Sequence, residues 1–118
     1  MTTKDVAIRL YELVNEKKWK QAQQELFAAD AESVEPDHSP GLQTVQGLPA
    51  IIRKGEDFQA MIEEQHSSWI SVPIVSGNFF TCAMKMDVTL RGAGRMEMDE
   101  IAVYEVKDGK IVKEQFFY

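Results

Sequence analysis

The amino-acid sequence predicts an α+β fold in which three N-terminal helices pack in a curved antiparallel β-sheet. Apolar residues recur every three or four positions in the first half of the chain, as they do in amphipathic helices. From about His66 onward they recur every second position, which is typical of strands. Helices followed by strands, rather than alternating with them, favour α+β over α/β. A length of 118 residues fits one domain, residues 1–118.

Three helical patterns occupy the first half of the chain. Thr2 or Thr3 can cap the first helix. Its apolar stripe consists of Val6, Leu10, Leu13 and Val14. The shorter second helix has an apolar stripe of Trp19, Ala22, Leu26 and Phe27. The third helix begins near Gly47 with Pro49 in its first turn, where the missing N–H costs little. Its apolar stripe consists of Leu48, Ile51, Ile52, Gly55, Phe58 and Ile62. We expect the opposite face, which consists of Arg53, Lys54, Glu56 and Asp57, to be exposed to water.

The strand pattern begins with a short extended segment at residues 31–35, which Pro36 ends, and a loop at residues 37–46 follows. Four longer strands are predicted at residues 66–75, 79–90, 95–106 and 110–118. Asp108-Gly109, between the last two, suits a two-residue hairpin loop. A strongly twisted sheet can curl around the long third helix into a cone with a closed end and an open mouth. That mouth is a natural small-molecule pocket.

The last predicted strand carries aromatic side chains on both faces, with Phe116 and Tyr118 on one face and Phe117 on the other. A sheet with only one covered face should alternate more cleanly between apolar and polar residues. We therefore expect the helices and the pocket to cover one face and a second subunit to cover the other. A homodimer through the outer sheet face is the simplest such assembly.

Composition argues against several classes of function. A net charge of −6 disfavours nucleic acid and anionic membrane surfaces, because both need clustered Lys and Arg. The N-terminus lacks the apolar stretch of a secretory signal, and no segment approaches the ~18 apolar residues of a membrane span, so we expect a cytoplasmic protein. Two histidines and the single cysteine, Cys82, give no metal-ligand spacing, and we expect neither a metal nor a cofactor.

Glu100 is the most informative residue of the strand predicted at residues 95–106. The alternate positions of this strand are Met96, Met98, Glu100, Ala102, Tyr104 and Val106. A carboxylate on an otherwise apolar face loses hydration, so it must find a partner, hold a proton or take part in chemistry. Two interpretations stay open. Glu100 is either an acid with a raised pKa at a functional site or a structural acid bonded to Tyr104, Gln115 or a backbone amide.

Three segments carry a resemblance to a known superfamily: ELFAADAESVEP at residues 25–36, GLPAI at 47–51 and VYEVKDGKIV at 103–112. They are similar to the second helix and first strand, the start of the third helix and the closing hairpin of the nuclear-transport-factor-2-like superfamily. Within it, the chain resembles the SnoaL-like and ketosteroid isomerase-like proteins. The resemblance implies a cone-shaped α+β barrel, the cystatin-like roll. It is less specific for activity, because this fold hosts many functions.

The resemblance also assigns places to individual residues. Glu35, just before Pro36, occupies the place of the isomerase's general base. Ala102 and Leu10 fall where the isomerase has its two oxyanion donors, an aspartic acid and a tyrosine, so steroid isomerisation itself is not implied. Glu100 lies on the same strand face as Ala102. SnoaL-like cyclases use an acidic residue as acid and base, and by analogy Glu35 or Glu100 could play that part.

Two classes of function follow as hypotheses. The first is an enzyme without a cofactor that isomerises, cyclises or dehydrates a small hydrophobic carbonyl compound, with Glu35 as base, Glu100 as acid or oxyanion partner and His66 as an auxiliary residue. The alternative is a non-catalytic protein that binds a small hydrophobic ligand, or a dimeric interaction module. The candidate cavity walls, each of which core packing would also explain, are Trp69, Phe80, Met84, Met98, Tyr104, Glu114, Phe116 and Tyr118.

Overall fold

The structure, a computed structural model that describes residues 1–39 and 41–118, contains three helices and a mixed sheet of seven strands. The helices are α1 (Thr3–Asn15), α2 (Trp19–Leu26) and α3 (Leu48–Met61). The strands are β1 (Phe27–Val34), β2 (Val45–Gln46), β3 (Ile62–Ile70), β4 (Ile74–Ser76), β5 (Phe79–Leu90), β6 (Gly94–Lys107) and β7 (Lys110–Phe117). The sheet order is β2-β1-β7-β6-β5-β3, and β4 pairs with β5. None of the helices in the described ranges is long and apolar enough to cross a membrane.

The sheet is mixed, so the prediction of an antiparallel sheet is wrong. β1 runs parallel to β7, with Phe27 opposite Ile111 and Val34 opposite Gln115. The other strand pairs are antiparallel. Hairpin turns reveal antiparallel neighbours in a sequence, whereas parallel strands are joined by a long crossover that leaves no local signal. Here the crossover comprises everything between β1 and β7, including α3.

Several strand boundaries also differ from the prediction. β1 begins at Phe27, which helical spacing had placed in the second helix; its buried ring meets Tyr104 edge-on, with centroids 6.5 Å apart. β2 lies in the predicted loop. The strand predicted at residues 66–75 begins earlier, at Ile62, and is interrupted before β4 near Pro73, which has no N–H to donate to a ladder.

A capping box begins α1. The Thr2 hydroxyl accepts a hydrogen bond from the Asp5 N–H (3.1 Å), and the Asp5 carboxylate accepts one from the Thr2 N–H (2.9 Å). Of the two threonines predicted as caps, Thr2 therefore fills the role. The buried face of α1 consists of Val6, Ala7, Leu10 and Leu13.

The inner face of β6 changes from packed core to open cavity along its length. Its buried residues are Ala102, Tyr104 and Val106. Its half-buried or exposed residues are Met96, Met98 and Glu100. At the buried end, the rings of Tyr104 and Phe80 stack with centroids 4.7 Å apart. Glu100 thus lies at the boundary between a filled core and open space.

The third helix buries less of its apolar stripe than periodicity suggests. Ile51 is the one fully buried residue of α3. Ile52, Gly55 and Phe58 are only half-buried, and they line a cavity. The side chains that helical spacing assigned to the core therefore form one wall of the candidate site.

Candidate functional site

A cavity of about 620 Å³ lies between α3 and the inner face of the sheet. This volume is within the range of small-molecule sites. Its apolar walls include Ile52, Phe58, Met84, Met98 and Phe116. Both tryptophans of the chain, Trp19 and Trp69, also line it, so intrinsic fluorescence should report occupancy. Its polar lining includes four acids and four lysines, of which four are buried or half-buried: Glu35, Glu100, Glu114 and Lys54.

Glu100 is the acid of this group whose carboxyl oxygens make no hydrogen bond to any described residue. Its cross-strand neighbour on β5 is Met84, so the carboxyl group has an apolar flank. Burial raises the pKa of Glu100 to about 7, and the negative charges of Glu35 and Glu114 act in the same direction. The Lys54 ammonium opposes this shift. Glu100 can therefore gain or lose a proton near neutral pH.

Glu35, which directly follows β1, is held by hydrogen bonds on both carboxyl oxygens. The Lys54 ammonium donates to Oε2 (2.8 Å), and the Tyr118 hydroxyl donates to Oε1 (2.7 Å). The ion pair is shielded from water, since the Glu35 and Lys54 side chains are 4% and 13% exposed. The Glu35 N–H donates to the Thr44 hydroxyl (3.0 Å), which ties β1 to the segment before β2.

Glu114 on β7 is buried and belongs to the same network. The Ser33 hydroxyl donates to Glu114 Oε2 (2.8 Å) and accepts a hydrogen bond from Lys54 Nζ (2.7 Å). Burial raises the pKa of Glu114 to about 7, although the Ser33 hydrogen bond and the Lys54 charge lower it. The nearby Tyr104 hydroxyl is buried and has no hydrogen-bond partner of ordinary geometry among the described residues. Burial and the Glu114 charge raise its pKa well above 10.

The structure brings together the three acids that the sequence singled out. Glu35, Glu100 and Glu114 all line the cavity. Of the other candidate walls, those on the cavity surface are Trp69, Met84, Met98 and Phe116. Tyr118 is 38% exposed and reaches the site only through its hydroxyl, which bonds to Glu35 and to Ser39 (2.7 Å).

Three predicted site residues lie elsewhere. Phe80 and Tyr104 form the stacked pair of the filled core, because the inner face of the sheet is already closed at their end. His66 is outside the cavity lining: its Nε2 is 2.8 Å from the Thr89 hydroxyl of β5, and its Nδ1 is 3.6 Å from the Glu64 carboxylate. Register shifts in β3 on both sides of Glu64 and Gln65 alter which side chains face inward, which simple alternation could not anticipate.

Two further residues of the site, Lys54 and Ser33, are not predicted from the sequence. Lys54 was assigned to the water-facing side of the third helix, although it lies three residues after Ile51 and four before Phe58 and so belongs to the same stripe. Ser33 alternates with Ala31 and Glu35 along β1, which places all three on one face. Within the described residues, no group of three or more His, Cys, Asp or Glu side chains has an arrangement that could hold a metal ion.

Comparison with known proteins gives one family. A family model described as a SnoaL-like domain matches residues 1–118. Among solved structures, a Mesorhizobium loti protein is 33% identical, with 100% of both chains covered and a TM-score of 0.92. It is provisionally named a SnoaL-like polyketide cyclase and, in brackets, a carbohydrate phosphatase. No curated protein matches the sequence significantly.

Two more distant structures share the fold. An NTF2-like protein of unknown function from Burkholderia pseudomallei is 20% identical, with 100% of this chain and 92% of that chain covered and a TM-score of 0.78. A Catenulispora acidiphila protein with a ketosteroid isomerase-like fold, solved in complex with trimethylamine, is 23% identical. That match covers 84% of this chain and 73% of the other, with a TM-score of 0.68. The resemblance inferred from the three sequence segments is thereby confirmed.

Proposed function

The chain belongs to the SnoaL-like family, and we propose that its cavity binds a small hydrophobic carbonyl compound and transfers a proton on it without a cofactor. Isomerisation, cyclisation and dehydration of such a compound can all begin with removal of a proton beside the carbonyl group. The provisional name of the Mesorhizobium loti relative supports this substrate class, because polyketides carry ketone groups. We also propose that the sheet curls around α3 as a cone whose open mouth admits the ligand.

The observation that carries the proposal is the state of Glu100. Its carboxyl group lines the cavity, makes no hydrogen bond to the described residues and has a pKa of about 7. A group whose pKa lies near the working pH is best suited to both accept and donate a proton. Glu100 therefore takes the proton from the ligand and can return it to another atom.

The roles expected of the other residues change with this geometry. Both carboxyl oxygens of Glu35 are already engaged by Lys54 and Tyr118, so Glu35 serves to hold Lys54 rather than to act as the base. His66 has no part in the proposal, because it lies outside the cavity lining.

The proposal can be tested before the natural substrate is known. In the Kemp elimination, a base removes the ring C–H proton of nitrobenzisoxazole, the N–O bond breaks and a coloured cyanonitrophenolate forms. We expect the protein to catalyse this reaction with saturation, and the rate to rise with pH with a midpoint near 7, the pKa of Glu100. Glu100→Gln should lower the rate by about a hundredfold or more, since it removes the base.

A matched control is available on the same strand. Glu97 is exposed and, by the alternation of β6, lies on the opposite face from Glu100. Glu97→Gln should leave the rate and its pH profile unchanged. Full activity in Glu100→Gln would show that the carboxyl group of Glu100 is not the base, and the proposed catalysis would then be wrong.

The second candidate function is that of a non-catalytic binding protein. The hydrogen-bond network of Lys54, Glu35, Ser33 and Glu114 favours it, because most polar groups of the cavity are already hydrogen-bonded within the protein. Saturable quenching of tryptophan fluorescence by hydrophobic ketones, without any Kemp activity, would support it. An interaction module would show neither, because such a role needs no occupied cavity.

We also propose a homodimer through the outer sheet face. Phe79, Ile101 and Phe117 are 49%, 46% and 50% exposed. Ile101 lies directly opposite Phe117 in the β6–β7 pair, so these two side chains form a continuous apolar surface. A surface of this kind on an antiparallel hairpin is typical of a protein interface rather than of a face in water.

Sedimentation velocity tests the dimer. Wild type should sediment as a dimer at micromolar concentration, and Ile101→Lys should sediment as a monomer, because it buries an unpaired charge at the centre of the interface. Val72→Lys is the control, since Val72 is 69% exposed but lies outside the proposed face, between β3 and β4. A monomeric wild type would contradict the proposal.

A further inference from the structure

We infer that Lys54 anchors the ligand: its ammonium group donates a hydrogen bond to a neutral acceptor oxygen of the ligand, such as a carbonyl oxygen. The inference rests on the proposed function in that both use the same cavity. It concerns binding rather than proton transfer, however, and it assigns a role to a residue that the catalytic proposal does not need as a base or acid.

First, Lys54 has one more N–H donor than it uses in hydrogen bonds to the described residues. An ammonium group has three N–H donors. Two of them are used in hydrogen bonds to Ser33 Oγ (2.7 Å) and Glu35 Oε2 (2.8 Å). The third has no hydrogen-bond partner among residues 1–39 and 41–118. Lys54 lines the cavity, and its side chain is only 13% exposed, so the remaining donor is available to a ligand but little exposed to bulk water.

The second step is that the ammonium is held in position. Ser33 and Glu35 are alternate residues of one extended segment, and they bind Nζ from the same side. Ser33 is itself fixed by its hydrogen bond to Glu114, and Glu35 by its hydrogen bond from Tyr118. The Phe116 ring, whose centroid is 5.7 Å from Nζ, packs against the cation. A flexible lysine held on several sides loses little further entropy when a ligand accepts its third N–H.

The third step is the charge of the ligand group. The Glu35 carboxylate already compensates the Lys54 charge, and Glu100 and Glu114 line the same cavity. The cavity is also lined by Lys17, Lys20, Lys85 and Glu56, but these four are exposed, so water screens their charges. A carboxylate or phosphate at Lys54 would therefore lie beside three buried or half-buried acids, with the Lys54 charge already compensated by Glu35. A neutral carbonyl oxygen accepts the N–H bond without this penalty. The surrounding Trp19, Trp69 and Phe58 suit an apolar body attached to that oxygen.

A pair of isosteric probes tests the anchor. We would measure the binding of para-fluoroacetophenone and para-fluoroethylbenzene by fluorine NMR, at a pH well above 7, where Glu100 is ionised and cannot donate a proton to the ketone. The probes differ mainly in the carbonyl oxygen. Wild type should prefer the ketone by about tenfold, the increment of one hydrogen bond from a charged donor.

The preference should disappear when Lys54 is removed. Lys54→Met combined with Glu35→Gln deletes both charges of the ion pair, so that the Glu35 carboxylate is not left buried without its partner. In this variant the tenfold preference for the ketone should be lost or reversed, because the carbonyl oxygen gives up its hydration and gains no hydrogen bond in return. If the variant keeps the wild-type preference for the ketone, or if wild type has none, Lys54 is not the anchor.

A second measurement uses the wild-type protein alone and so does not depend on the folding of a variant. The NMR resonance of an isotope-labelled carbonyl carbon in bound acetophenone should move downfield from its position in an apolar solvent, as hydrogen-bond donation requires. An unshifted resonance would overturn the inference.

The experiments distinguish a failure of the anchor from a failure of the proposed catalysis. If Glu100→Gln keeps full Kemp activity while the ketone preference follows Lys54, the proposed catalysis is wrong and the anchor stands.

Discussion

Lys54→Met should lower the free energy of unfolding by about 3–5 kcal/mol at pH 7, the cost of removing one partner of a buried ion pair. The methionine side chain fits the space of the lysine stem, so the loss is chiefly electrostatic. It leaves the Glu35 carboxylate, whose side chain is 4% exposed, with the Tyr118 hydroxyl as its remaining side-chain partner. It also removes the donor to Ser33.

The double variant Lys54→Met, Glu35→Gln separates the charge from the packing. Because it removes the Glu35 charge together with the charge of its partner, it should be clearly more stable than Lys54→Met alone, and the double-mutant cycle should give a large coupling energy. Urea denaturation followed by circular dichroism measures the stability of Lys54→Met, of Glu35→Gln and of the double variant. Equal stability of the single and double variants would mean that Glu35 simply takes up a proton or is hydrated once the lysine is gone.

A matched control comes from the Lys20–Glu56 ion pair. These groups lie 3.3 Å apart, but their side chains are 57% and 58% exposed. Lys20→Met should change the free energy of unfolding by less than about 1 kcal/mol, because solvent screens the pair. The same substitution thus has a large expected effect in the cavity and a small one at the surface. A comparable loss in both variants would contradict the assignment of the effect to burial.

Local patterns in the sequence were sufficient to predict the helices and the hairpins. The predicted strand at residues 79–90 coincides with β5 (Phe79–Leu90), because turns containing Gly77 and Gly92 lie close to its two ends. The parallel pairing of β1 with β7 could not be predicted in this way. It joins distant parts of the chain, and no turn marks it.

The acids of the site were predictable for the same local reason. Glu100 interrupts an apolar alternation, and Glu35 precedes a proline in a segment that resembles a known family. Lys54 was not predicted, because a lysine in a helix is ordinarily solvated and its burial depends on β1, which meets α3 only in three dimensions. The position of Phe80 in the core rather than in the cavity likewise depends on where α1 packs against the sheet, which local sequence patterns do not specify.

Wild type should become less stable as the pH rises from about 5 to about 8. Glu100 and Glu114 both have native pKa values of about 7, raised from the ordinary value of 4.5 for a glutamic acid side chain. Between these two pH values the native state holds protons that the unfolded state has released, so the free energy of unfolding falls with rising pH. The stabilising contribution is complete below pH 4.5 and is lost by the time the pH has passed the native pKa. One such shift corresponds to roughly 3 kcal/mol at most.

Glu114→Gln should remove much of this pH dependence and raise stability at pH 8. Glutamine keeps an oxygen that can accept the Ser33 hydrogen bond, and it carries no charge at any pH. Glu100→Gln should act in the same direction. The Glu114 charge raises the pKa of Glu100, so the effects of the two single variants on stability are expected to be non-additive. The double variant should show the weakest dependence of stability on pH.

Asp87→Asn provides the control for the pH series. Asp87 forms an ion pair with Arg95 (2.9 Å), and hydrogen bonds from that guanidinium group lower its pKa. Its stabilising contribution is present above its unfolded pKa and is lost only as the pH falls through the lower native value, so the slope between pH 5 and 8 should not change. The free energies of unfolding of all these variants would be measured at several pH values between 5 and 8.

If Glu100→Gln and Glu114→Gln keep the wild-type slope of stability against pH, neither acid holds a proton in the cavity at neutral pH. Glu100 would then be an ordinary carboxylate, and the main support for a proton-transfer role would be gone.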